Sequence, residues 1–336
     1  MKDLLHALCN IDGTSGREDK VREYIISRLH GAPYTVDALG SLIVEVKGRK
    51  PAKNRVMLCA HMDEVSVIAT YIRSDGLVKF TNVGGIVSTS LAGKAVRFEN
   101  GVPGVIGVKP VHMCSADEKL TKPDLKELYI DIGAADGDEA KALVSPGDTA
   151  VFVSEYTEMG DKLLSKAIDD RVGCAVMLDM IEHGVEYDTV FCFHVQEEVG
   201  LRGARASAFA VDPDYAVVLE ATTAADLIDA KDDARVCVLG EGGAISFMDN
   251  ATVYSPALYH KVLAIAEENG IAAQPKTTVA GGNDAGAVHV SRAGVKTVTI
   301  SVPCRYIHSP SSVCDWRDVL SVRQLAEKVS EYFANA

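Results

Sequence analysis

At 336 residues, 47% hydrophobic and 24% charged, the chain has the makeup of an ordinary globular protein long enough for a large core and two domains. A formal net charge of −13 excludes the broad basic face that phosphate binding needs, so nucleic acid is not expected as a partner. No run approaches the roughly 20 apolar residues of a membrane span, and the opening Met-Lys-Asp-Leu-Leu-His reads as an amphipathic helix rather than a signal core, so a cytoplasmic location is expected.

Residues 2–11 read as a short helix that stops at Gly13. Ser15 and Glu18 then have the spacing of a capping box, ahead of a second helix with Val21, Tyr24, Ile25 and Leu29 on one face. Strands are expected over 41–47 and 55–60, the latter running into His61, and another over 65–70. From 70 to 156 short β-rich segments alternate with turn pairs such as Asp75-Gly76, Gly84-Gly85, Asn100-Gly101 and Pro103-Gly104, as in a small barrel or sandwich. Helix–strand alternation then resumes, with helices at 171–183, 203–209, 256–269 and 318–334 and strands at 189–195, 215–220 and 296–302. The expected fold is α/β. A mixed central sheet flanked by helices is built from 1–69 and 157–336, and an inserted β-rich domain occupies 70–156. The eight cysteines show no Cys-x-x-Cys spacing and lie mostly in apolar runs, so buried free thiols are expected rather than disulfides or a thiolate metal site.

Charge at the edges of these apolar runs carries the functional signal. A buried strand has no cheap place for a charge, and open α/β sheets bind ligands beyond the carboxyl ends of their strands. His61-Met62-Asp63 follows one such run, Gln196-Glu197-Glu198 a second, and Glu220 ends Tyr-Ala-Val-Val-Leu-Glu in a third. Asp169-Asp170-Arg171 opens a helix; one acidic residue there is ordinary capping, whereas two exceed what a cap needs, and Arg171 could support one of them as an ion pair. His308 sits in the loop after 296–302, a setting that carries weight only through the company it keeps. The other seven histidines, His194 in mid-strand among them, have no comparable setting. Two histidines and several carboxylates converging from separate strand ends are what a pair of hydrolytic metal ions requires. Adjacent Glu197 and Glu198 allow one carboxylate to bind metal while its neighbour stays free as a base, and Asp63 is placed to orient His61. Gly281-Gly282-Asn283-Asp284-Ala285-Gly286 lacks the Gly-Lys-Ser/Thr of a phosphate loop and is expected to form a pocket wall.

Together, Ala60-His-Met-Asp-Glu-Val65, Ala167-Ile-Asp-Asp-Arg-Val-Gly173, Val195-Gln-Glu-Glu-Val-Gly200 and Arg305-Tyr-Ile-His-Ser-Pro310 resemble the M42 family of metallo-aminopeptidases, as do the opening Thr14–Glu18 and Leu128–Gly133. The resemblance implies a peptidase with two zinc or cobalt ions that removes N-terminal residues from peptides with a free N-terminus. It implies that His61 and Glu220 hold one metal, Glu198 and His308 the other, that Asp169 bridges them, that Glu197 is the general base and that Asp63 orients His61. Spacing alone leaves Asp169 and Asp170 undecided. The resemblance also implies a barrel or PDZ-like insert used in assembly, with dimers building a dodecamer. Many family members carry Asp where this chain has Glu220, which bears on metal preference. Two other readings stay open: deacylation or carboxypeptidase-like cleavage at the same metals, and an inactive scaffold. Arg202, Lys231 and Arg305 would favour acidic substrate side chains if they lined the pocket.

Overall fold

The computed structural model describes residues 1–116 and 121–336. Among these, an 11-stranded mixed sheet runs in the order Tyr34–Val36, Leu42–Val46, Thr189–His194, Val56–His61, Tyr215–Thr223, Lys296–Arg305, Ser312–Asp315, Lys162–Ser165, Thr157–Met159, with Gly243–Ser246 and Ala273–Lys276 branching from Lys296–Arg305. The four central strands, from Thr189–His194 to Lys296–Arg305, are mutually parallel. They are buried almost end to end because helices cover both faces. One face packs on Lys2–Asn10, Asp19–Ser27, Ile168–His183, Pro256–Glu268 and Trp316–Asn335, through residues such as Leu5, Ile25, Met177, Val262 and Leu325. The other packs on Arg202–Val211 and Ala285–Val288 through Ala204, Ala208 and Val288.

Between the His61 strand and this sheet's later strands, the chain forms a closed six-stranded antiparallel barrel. Its order is Ser66–Ile72, Val78–Val83, Tyr129–Asp131, Pro103–Gly107, Ala95–Phe98, Thr149–Phe152, the last pairing back to the first. Period-2 burial along Ala95–Phe98 and Pro103–Gly107 sends Val96, Phe98 and Ile106 into a core shared with Val67, Phe80, Ile130 and Phe152. The strand Ser66–Ile72 belongs to the barrel, so the β-rich unit begins before the expected boundary at 69/70.

Two polar links seat the barrel on the sheet domain. Arg97 bonds Asp12 at 2.8 and 2.9 Å, and Arg17 bonds Glu99 at 2.8 Å. Asp12 also meets buried Lys166 at 3.2 Å, and Lys166 clasps both oxygens of buried Glu64 at 2.7 and 2.8 Å. The eight cysteines are free thiols, seven of them buried.

Candidate metal centre

His61 is the last residue of its strand and lies in register with His194, the last residue of the parallel neighbour. Beyond these ends the two chains stay tied together. The Met62 amide donates to the His194 carbonyl (2.7 Å), and Asp63 accepts from the amides of Glu197 (3.0 Å, to Oδ1) and Glu198 (3.2 Å, to Oδ2). His61 Nδ1 lies 3.3 Å from Asp63 Oδ1 and 3.1 Å from the Asp63 carbonyl. Burial opposes the charge of Asp63, but the His61 ring, Ser15 and the Glu197 amide outweigh it and hold the carboxyl below its usual range. One side chain thus fixes the first histidine and the glutamate pair.

The expected capping box is not made. The second helix starts at Asp19 with Glu18 at its N-cap and no side-chain cap bond. Ser15 Oγ donates instead to Asp63 Oδ2 (2.6 Å), and Glu18 Oε1 accepts from the amides of Gly16 (2.8 Å) and Gln196 (2.9 Å). Glu18 is spent on the loop that carries Glu197, and Ser15 on the Asp63 carboxylate that holds that loop. Burial, with the Asp63 charge nearby, pushes the Glu18 carboxyl up to about 7.

Asp169 and Asp170 have non-helical backbone at the head of Ile168–His183, joined by a cis peptide, and their side chains diverge. Asp170 accepts from the His61 amide (3.1 Å) and the Gly173 amide (3.0 Å), one bond to each oxygen, and so ties the helix to the strand. A Cβ on Gly173 would come within 2.6 Å of Asp170 Oδ1 and 2.8 Å of Ala60 Cβ, so this close approach needs glycine. Asp169 faces outward: Oδ1 lies 3.2 Å from His61 Nε2, and Oδ2 lies 3.4 Å from His308 Nε2. Arg171 does not pair with either aspartate. Fully buried, it donates to the carbonyls of Met62 (2.7 Å), Ile11 (2.9 Å) and Leu8, with Glu64 at 3.5 Å.

Glu220 does not end its strand, which continues to Thr223. The His61 strand stops pairing with it at Val218–Cys59, so Glu220 lies past its neighbour's end and its Oε1 comes within 3.5 Å of His61 Nε2. His308, in left-handed backbone (φ 57°), has Nε2 at 3.6 Å from Glu198 Oε2. The barrel closes over this side: a Cβ on Gly85 would lie 3.1 Å from His308 Nδ1, and one on Gly84 would lie 3.2 Å from Glu198 Oε2.

All seven expected side chains therefore come together: His61, Asp63, Asp169, Glu197, Glu198, Glu220 and His308. Donor atoms bonded at about 2.0–2.1 Å around one tetrahedral zinc lie about 3.3 Å apart, and the histidine–carboxylate separations of 3.2–3.6 Å match that spacing. Ligand atoms of His61, Asp169 and Glu198, and of His61, Asp170 and Glu220, lie within 4.8 Å of one another. Glu198 Oε1 is buried with no partner. Burial, reinforced by the Asp169 charge, pushes Glu198 and Glu220 up to about 8, and burial also drives Glu197 well up. Burial works against a charge on His308 too, but Asp169 and Glu198 outweigh it and raise the ring to about 9. Carboxylates packed this way cannot all ionise without added positive charge, which divalent cations supply.

A cavity of about 310 Å³ opens from His61, Asp169, Glu197, Glu220 and His308, with Gly281, Gly282 and Asn283 as one wall, as the glycine pattern suggests. Arg202, Lys231 and Arg305 are not among its lining residues. Arg305 is instead held by Asp226 at 2.6 and 2.7 Å, and Arg202 bonds Gln196 at 3.2 Å. The cation that does line the cavity is Lys276. Also unforeseen is the buried pair of His194 Nδ1 with Asp284 Oδ2 (2.7 Å), which anchors the Gly281–Asp284 wall to the strand beside His61.

Residues 40–325 match the family described as M42 glutamyl aminopeptidase. The chain is 31% identical to the glutamyl aminopeptidase of Lactococcus lactis subsp. cremoris, over 96% of this chain and 93% of that one. It is 30% identical to the lysyl aminopeptidase of Pyrococcus furiosus, over 98% and 96%. The solved TET1 peptidase of Pyrococcus horikoshii, described as assembling into a tetrahedron or a large octahedral shell, superposes with a TM-score of 0.85 at 36% identity, over 98% of each chain.

Proposed function

Because the chain belongs to the M42 glutamyl aminopeptidase family of peptidases, we propose that it removes N-terminal residues from peptides at a centre for two divalent metal ions, zinc or cobalt. Most of the weight rests on the placing of Asp169, whose two oxygens face His61 and His308 separately, as a carboxylate bridging two cations must. In this reading His61 and Glu220 would hold one ion, Glu198 and His308 would hold the other, and Asp169 would join them. Asp170 is a support, since backbone amides occupy both of its oxygens.

When bound, such a pair of ions polarises the scissile carbonyl and acidifies a water near neutral pH. Glu197 is the general base. Its Oε2 lies 3.9 Å from His61 Nε2, farther than the carboxylates of Asp169 and Glu220 at 3.2 and 3.5 Å. It takes a proton from the attacking water as the new C–O bond forms, then passes that proton to the departing amine as the C–N bond breaks. Asp63 keeps the His61 ring and the Glu197–Glu198 loop in place throughout.

No described helix is long and apolar enough to cross a membrane, and we place the protein in the cytoplasm. The barrel, expected as a domain over 70–156, is proposed as the module through which dimers assemble into a dodecamer, one solved relative being described as a dodecamer and another as a tetrahedron or a large octahedral shell. The deciding experiment strips the metals, restores Zn²⁺, Co²⁺ or Mn²⁺, and measures hydrolysis of aminoacyl-p-nitroanilides with free and acetylated α-amines. Metal-restored cleavage confined to the free amines is expected. Equal release of p-nitroaniline from acetylated substrates would show that the free α-amine is not required and overturn the aminopeptidase reading, whereas release of acetate alone would show a deacylase instead.

A further inference from the structure

We propose that Lys276 reads the side chain of the residue being removed and selects glutamate and aspartate. This rests on the aminopeptidase reading above and adds the substrate class.

Two lysines are equally buried, each 4% exposed. Lys166 has both oxygens of Glu64 and one of Asp12 around its ammonium. Lys276 has the Ala280 carbonyl (2.8 Å), and among the described residues no carboxylate stands in ion-pair contact with it. An ammonium carries three donors, and an unmatched buried cation is costly. Burial accordingly pulls its pKa below the usual lysine value, against the opposing charges of Asp249 and Glu220, neither of which is in ion-pair contact with it. Lys276 lines the same cavity as Glu197, Glu220 and His308, so its missing counter-charge faces the substrate space.

Strand register fixes where that charge stands. Glu220 is in register with Ser301, Ser301 with Ala244, and Ala244 with Gln274, two residues before Lys276. Residues in register share a sheet face, as do residues two apart on a strand. Lys276 therefore projects to the same side as Glu220 from a strand three places away, about 14 Å between backbones. A substrate held by its α-amine and scissile carbonyl at the Glu220 end sends its first side chain into that interval. Ser246, in register with Lys276, adds a buried hydroxyl with no partner beside it. The lysyl and glutamyl relatives show that family membership leaves this choice open; here the cation makes it.

The test measures kcat/KM of the metal-loaded protein for glutamyl-, glutaminyl-, leucyl- and lysyl-p-nitroanilide. Wild type is expected to favour glutamyl over isosteric glutaminyl by about 100-fold, the size of a charge-assisted bond left unmade. Lys276→Met should bring that ratio to within about 3-fold, Lys276→Arg should keep a preference, and Lys276→Glu should turn it toward lysyl. Melting temperature and metal content show whether each variant folds. A wild-type glutamyl-to-glutaminyl ratio near unity, or an equal fall for all four substrates in Lys276→Met, overturns the proposal, while leucyl cleavage still upholds the aminopeptidase reading. If nothing is hydrolysed, that reading fails and calorimetry of L-glutamate and L-glutamine decides. A preference of about 10-fold or more that Lys276→Met removes sustains the selectivity; equal affinities end it.

Discussion

The sheet domain and the barrel use charge in opposite ways. Along the barrel strands Ala95–Phe98 and Pro103–Gly107, buried and exposed residues alternate, and Arg97 reaches the surface. The strands Val56–His61 and Thr189–His194 are buried at every position, so the charged residues beyond their ends have no solvent to fall back on. Asp63 beyond the first strand, Asp170 at the helix head beside it and Glu220 on the next strand are all less than a tenth exposed. A barrel charge can be lost to water at little cost, whereas a charge at these strand ends must be matched by protein, by metal or by substrate. Buried, incompletely matched charge therefore marks the site more sharply than cavity shape does.

The contrast is most exposed to failure at Glu197. Glu197→Gln keeps the shape and removes the base, so kcat/KM should fall by about 10²–10⁴-fold while metal content stays at the wild-type level. Metal loss in this variant would make Glu197 a ligand and shift the base elsewhere. Asp63→Asn comes next. It keeps the bulk but withdraws the charge facing His61, and should weaken metal affinity or activity by about 10–100-fold, readable by metal titration. An unaffected variant would reduce Asp63 to a loop support.

Metal-free protein sharpens the comparison through pH. Glu198 and Glu220 are raised from 4.5 to about 8 in the folded chain, and His308 from 6.5 to about 9. Each raised group binds more protons folded than unfolded, so its stabilising contribution is present below the unfolded value and lost as pH rises through the folded one. Metal-free protein should thus lose stability from about pH 4.5 to about pH 9, and stabilisation by added Zn²⁺ should grow over the same interval as metal displaces those protons. Denaturant midpoints with and without metal would show it. A metal-free midpoint that rises with pH would contradict the burial of these carboxylates.

How far the sequence reveals all this follows the same division. Charges abutting long apolar runs are legible, which is why His61, Asp63, Glu197, Glu198 and Glu220 can be picked out beforehand, and His308, in a loop, only through their company. The barrel shows as a change of texture at its turns, but closure depends on pairing Ser66–Ile72 with Thr149–Phe152, far apart in the chain. Ser15 and Glu18 mislead because their spacing suits a cap, and only the tertiary position of the Gln196 loop reveals the stronger use of both. Asp169 and Asp170 separate only once the backbone departs from helix between them. Lys276 is invisible for a further reason: Ala-Gln-Pro-Lys has no strand periodicity, and it reaches the site across two intervening strands.

The smallest expected effect lies where the two regions meet. Arg97 bonds Asp12 through two contacts, yet its side chain is 44% exposed, so solvent screens the pair. Asp12 keeps Lys166 when Arg97 is removed, which leaves no uncompensated charge in the buried Glu64 network. Arg97→Ala should therefore cost no more than about 1 kcal/mol, a shift of about 2–4 °C in melting temperature, with kcat/KM unchanged. Gly84 and Gly85 approach Glu198 and His308 from the same barrel, so its seating also bears on the metal ligands. If Arg97→Ala lowers metal affinity while stability holds, the exposed link governs how the barrel loop rests on His308, and the barrel would count as part of the site rather than as its neighbour.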